Sequence, residues 1–119
     1  MKRIILISLS LVFLSSVVFG ASISLMATWT PNKEADMAGY NLYRTDGGRV
    51  KLNISLIPHS PSLPFLFSIA VPDNTEGIAT FVLTAVDTGG RESLDSGEAT
   101  YPFDLKAPAA PTGFGVSKP

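Results

Sequence analysis

Apolar and polar side chains alternate with a period of two along several stretches of the chain, and clusters of Gly, Pro, Asn and Asp separate them. Alternation puts every second side chain on one face of an extended backbone, so the pattern predicts strands and not helices. Ile23, Leu25, Ala27 and Trp29 alternate with Ser22, Ser24, Met26 and Thr28, which predicts a first strand over residues 22–30. Pro31 and Asn32 close it, because proline has no N–H to give to a ladder. Residues 40–44 follow as a second strand, Thr45, Asp46, Gly47 and Gly48 as a hairpin turn, and residues 49–53 as a short third strand. Residues 54–64 carry three prolines and are expected to be a crossing connection without a strand. Phe65, Phe67, Ile69 and Val71 alternate with Leu66, Ser68 and Ala70, a strand with a strongly apolar inner face. After a loop over 72–77, residues 79–86 form the most apolar run and are read as a central strand covered on both faces. A turn over 87–93 leads to a last strand over 98–103. Short strands and turns at these intervals predict an all-β sandwich, with Trp29, Tyr40, Leu42, Phe67, Ile69, Leu83 and Val86 as its core.

The first residues break this pattern and change the picture of where the protein resides. Lys2 and Arg3 precede an uncharged, apolar run over residues 4–19, and Val18, Phe19 and Gly20 suit a cleavage site before Ala21. Residues 1–20 are therefore expected to be a cleaved signal peptide. The rival is an uncleaved anchor, since uncharged sequence continues to Asn32 and a span needs about 20 residues. The alternation that starts at Ala21 is strand-like and favours the signal, with no stable membrane insertion after cleavage.

Charge and cysteine content narrow the rest. Of nine Lys and Arg, two leave with the leader, so seven basic residues face ten acidic ones, a net charge of −3. The remaining basic residues are dispersed, whereas binding to phosphates wants a clustered patch, so nucleic acid is not an expected partner. The chain has no cysteine. Disulfides, thiolate metal sites and a lipid-modified cysteine anchor are thereby excluded, and an exported domain must be held by its core alone.

Three runs carry a family resemblance: Thr28-Trp29-Thr30-Pro31-Asn32; Glu34 to Arg44, which contains Gly39-Tyr40-Asn41-Leu42-Tyr43; and Thr84-Ala85-Val86-Asp87 with Gly90, Glu92 and Ser93. Together they resemble bacterial fibronectin type III modules over residues 22 to about 103. The resemblance implies an immunoglobulin-like sandwich of seven strands, with Trp29 on strand B, Tyr40 and Leu42 on strand C, and residues 80–86 on strand F. Two departures stand out. The family's tyrosine early in strand F is replaced by Ala79, and cleavage before Ala21 leaves no room for strand A. The domain reading is thus a signal peptide over 1–20, a module lacking strand A over 21–105, and a Pro- and Ala-rich linker over 106–119. In that last segment Phe114 and Val116 look like the opening strand A of a following module. They are read either as a remnant of a tandem protein or as a strand that adds beside strand B, in the same chain or head to tail between copies.

Candidate chemistry is sparse. His59 is the only histidine, and a histidine base needs an orienting group and a nucleophile within reach, so it is read as a solvated loop residue. The acidic pairs Glu34 and Asp36, or Asp87 and Glu92, are read as turn caps, with Asp87 fixing the turn between the last two strands. Asp73, Asn74 and Glu76 lie close together, but their spacing fits no EF-hand loop and a calcium ion takes six or more oxygens. Tyr43 points away from Tyr40 and Leu42, a single ring for a sugar platform. Asn53-Ile54-Ser55 is formally a glycosylation sequon. The sequence is accordingly read as an exported, non-catalytic interaction or spacer module, secreted, periplasmic or on the cell surface, with no cofactor or metal and with a protein or glycan as partner. The competing reading is an ancillary glycan-binding domain of a secreted polysaccharide-degrading system, and the third a minimal hydrolase built on His59.

Overall fold

The computed structural model describes residues 20–59 and 64–119. The leader expected over 1–20 therefore lies almost wholly outside the described residues, as does part of the 54–64 connection. Seven strands make up the fold among the described residues: β1 (Gly20–Ala27), β2 (Met37–Arg44), β3 (Val50–Lys51), β4 (Ile57–Pro58), β5 (Phe65–Pro72), β6 (Glu76–Asp87) and β7 (Ala99–Asp104). Among the described residues there is no helix, and so none that is long and apolar enough to cross a membrane.

All strand pairs are antiparallel. β1 pairs with β5 over their whole length, Gly20 opposite Pro72 and Ala27 opposite Phe65. The second sheet runs β3-β2-β6-β7, and β4 also pairs with β2. The two sheets meet across one apolar cluster of Tyr40, Leu42, Ile57, Ile69, Val71, Ala79 and Phe81, a layered arrangement that fits a β-sandwich. The period-two pattern explains it. In β5, Ile69 and Val71 are buried while Leu66, Ser68 and Ala70 are exposed. In β1, Ala21, Ile23, Leu25 and Ala27 are each half-buried and their neighbours exposed. β6 is buried on both sides at its centre, Ala79 and Phe81 toward the core and Val82 and Thr84 away from it.

Several expectations need correction. β1 stops at Ala27, so Trp29 follows the strand instead of ending it; it keeps the inward row and sets its ring edge-on to Tyr40, centroids 5.0 Å apart. The connection 54–64 contains β4, because Ile57 is an apolar residue buried against the core and its neighbour Pro58 needs no ladder N–H there. Met37 joins β2 through an irregularity between Met37 and Gly39. At Gly39 a side chain is excluded: a Cβ would stand 2.3 Å from the Ile57 carbonyl oxygen. Val86 is absent from the core cluster. It pairs with Gly39 and bridges to Glu92, and alternation turns it to the side opposite Ala85.

Candidate functional site

Two places on the domain depart from a plain two-sheet body. The first is an open groove of about 440 Å³ between the second half of β1 and the start of β7. The edge of β1 away from β5 has no strand beside it among the described residues, and β7 pairs only with β6. With no strand closing that side, the core shows through. Leu25, Trp29, Leu42, Phe67, Phe81 and Leu83 line the groove. Of the expected core residues, Tyr40, Leu42 and Ile69 are buried, while Trp29, Phe67 and Leu83 are only partly covered. An apolar floor beside unpaired backbone groups is suited to receiving an extended segment: the ladder supplies hydrogen bonds and the floor takes alternate side chains.

The second is a polar knot on the outer face of β2 and β6. Asn41, Thr84 and the loop residue Asn53 are all buried there. The Asn53 side chain accepts from the Leu42 N–H at 2.7 Å and donates to Asn41 Oδ1 at 2.8 Å and to the Ser55 carbonyl at 3.1 Å. Glu92 closes the knot. Its Oε2 accepts hydrogen bonds from Thr84 Oγ1 at 2.5 Å, from the Tyr43 hydroxyl at 2.5 Å and from Asn41 Nδ2 at 3.2 Å. The Thr84 and Tyr43 hydroxyls hold this carboxyl below the usual range, and the same contact pushes the Tyr43 hydroxyl up. A carboxylate so stabilised is a poor proton acceptor, since a general base works best with a pKa near the operating pH. Arg49 lies over the Tyr43 ring, its guanidinium carbon 4.0 Å from the centroid, and makes two bonds of 2.8 and 2.9 Å to Asp95. One face of the Tyr43 ring is therefore covered by Arg49.

The remaining candidates are used locally. The Tyr40 hydroxyl accepts from the Asn32 N–H and shares a hydrogen bond with His59 Nδ1, both at 2.9 Å, so His59 is an exposed ring tied to a buried tyrosine and not a freely solvated one. Asp87 accepts from the N–H groups of Gly89 and Arg91 at 2.9 Å and from Arg91 Nε at 2.8 Å, which fixes the turn after β6. Those bonds from Arg91 hold the Asp87 carboxyl below its usual range. Asp73 caps the Asn74 N–H at 3.0 Å, and Asn74, at φ 58°, receives the Ala107 N–H at 2.9 Å. Among the described residues, no three His, Cys, Asp or Glu side chains converge on a common point. Phe114 and Val116 stand in solvent, 85% and 86% exposed.

Sequence reasoning missed the knot. Asn53 carried the signal of a sequon, yet its side chain is enclosed. The contact of Glu92 with Asn41 joins residues 51 apart, which no local pattern encodes. Comparison of the chain with family models, curated proteins and solved structures finds no match to any of them.

Proposed function

We propose that the protein is an exported, non-catalytic interaction module of the fibronectin type III kind. The observation that carries this reading is the pairing scheme. β1 with β5, and β3-β2-β6-β7, correspond to strands B with E and C′-C-F-G of such a module, with the place of strand A open among the described residues. The exposed groove beside β1 supports interaction over a passive spacer, because a bare apolar floor is a liability in a body that only separates its neighbours. The engaged states of Glu92, Asp87 and His59 support a non-catalytic role: Glu92 holds the buried Thr84, Asp87 fixes a turn, and His59 is tied to the buried Tyr40.

Export is tested by N-terminal sequencing of protein recovered outside the cytoplasm, which should read Ala-Ser-Ile-Ser-Leu. Full-length chain that stays with membranes through alkaline extraction overturns it. Interaction through protein and not sugar is tested on a glycan array, where saturable binding would replace this reading with that of a glycan-binding appendage.

A further inference from the structure

Two parts of the described chain lack a partner and match one another. The free edge of β1 borders the groove lined by Leu25, Trp29, Phe81 and Leu83. At the other end, residues 109–119 are exposed throughout, and Phe114 and Val116 are spaced so that an extended backbone sets both on one face. We propose that residues 114–117 of one copy add as a strand to β1 of a second copy, Phe114 and Val116 entering the groove. This deepens the interaction-module reading by naming its partner as the protein itself.

The direction of the tail selects a second copy over the same one. The Leu105 N–H bonds to the Thr75 carbonyl at 2.8 Å and the Ala107 N–H to Asn74 Oδ1 at 2.9 Å, so the tail leaves beside the loop that follows β5. That loop begins at Pro72, opposite Gly20, which is the end where β1 starts. The groove lies at the other end, from Leu25 to Trp29. To fold back, the tail would have to reverse within residues 107–111. Pro108 and Pro111 oppose this, since each fixes its own φ and keeps the preceding residue extended. After such a reversal, the three steps from Pro111 advance Phe114 by about 10 Å. Leu25 is about 17 Å along β1 from Gly20. Phe114 thus falls short, and the strand would run parallel to β1. A tail arriving from another molecule enters from the groove end, runs antiparallel to β1 and forms the more stable ladder. Gly113, at φ 72°, provides a turn ahead of Phe114. The contact is head to tail, so it propagates into open chains.

Ending the chain after Lys106 removes only the Ala107 contact, so the two sheets keep their pairing and core. The test compares whole and truncated chains in the form the producing cell makes. By sedimentation, the whole chain should grow in mass with concentration while the truncated chain stays monomeric. Trp29 is the only tryptophan and lines the groove. A synthetic peptide of residues 107–119 should therefore change the Trp29 emission of the truncated chain saturably. Burying a phenylalanine accounts for an affinity loss of at least about tenfold in a peptide carrying Phe114→Asp. A whole chain that is monomeric at every concentration overturns the proposal, whether its melting point matches the truncated chain (a passive tail) or exceeds it (a tail in its own groove). Either result leaves the export test and the module reading standing, so the two fail separately.

Discussion

At the residue scale, the division between what the sequence shows and what it hides follows contact range. Phe65, Phe67, Ile69 and Val71 announce their face through neighbours two positions away, and β5 follows that pattern along its length. Asn53 announces nothing, because its role depends on Leu42, Asn41 and Ser55 meeting it in three dimensions. It is 5% exposed and satisfies a backbone N–H that has turned away from the ladder. Asn53→Ala should destabilise the domain by about 1–3 kcal/mol, because the Leu42 N–H and Asn41 Oδ1 are then buried without partners. Asn53→Asp keeps the acceptor for Leu42 but buries a carboxylate against the Asn41 Oδ1 and Ser55 carbonyl oxygens, so near neutral pH it should be at least as destabilising as alanine. Urea unfolding of the three proteins checks the order, and an alanine variant as stable as wild type would mean that water reaches the site.

At the element scale, the seven strands are unequal in the number of neighbours they have. β6 pairs with β7 over residues 76–81 and with β2 over residues 81–87, and it is legible from sequence as the most apolar run. β4 was not legible: two residues beside several prolines carry too little periodicity to mark a strand, and only its pairing with Gly39 and Tyr40 defines it. β1 was legible as a strand, but its single partner was not, because an alternating pattern reports faces and says nothing of edges. That difference can be measured. In an antiparallel pair, alternate N–H groups point at the partner and the others point away. In the chain ended after Lys106, every second amide of β1 should therefore exchange with solvent deuterium at nearly unprotected rates. Consecutive amides at 79–81 in β6 should all be slow, because β7 pairs along one edge there and on the other the Thr80 N–H donates to Asp46 Oδ1. Uniformly slow exchange along β1 would show that its outer edge is covered and would remove the basis for the groove as an open site.

At the scale of the whole molecule, a domain without cysteine rests on its core and on the charged contacts around it, and those contacts set how stability depends on pH. Asp46, Asp87, Glu92 and Asp95 are all held below their ordinary values, Asp46 chiefly by Arg44, Asp87 by the Arg91 backbone and guanidinium, Glu92 by the Thr84 and Tyr43 hydroxyls, and Asp95 by Arg49. A lowered folded value means that the unfolded chain takes up protons first as the solution is acidified. Their stabilisation is thus complete above the ordinary carboxylate range, near 3.8 to 4.5, and disappears as pH falls through the lower folded values. The contributions differ in weight. Arg49–Asp95 and Arg91–Asp87 are solvated ion pairs, a kind that adds little to stability. Glu92 instead accepts from Thr84 and Asn41, which are buried and left unpaired if the carboxylate goes. Glu92→Gln should accordingly lower the melting point at pH 7 more than Asp95→Asn does. It should also flatten the acid side of the stability curve, so that variant and wild type converge as the pH falls below the ordinary carboxylate range and the native carboxyl itself becomes protonated. Melting curves measured from pH 7 to pH 3 decide it. Parallel curves, offset equally at every pH, would mean that the charge on Glu92 contributes nothing to holding the outer face of β2 and β6 together.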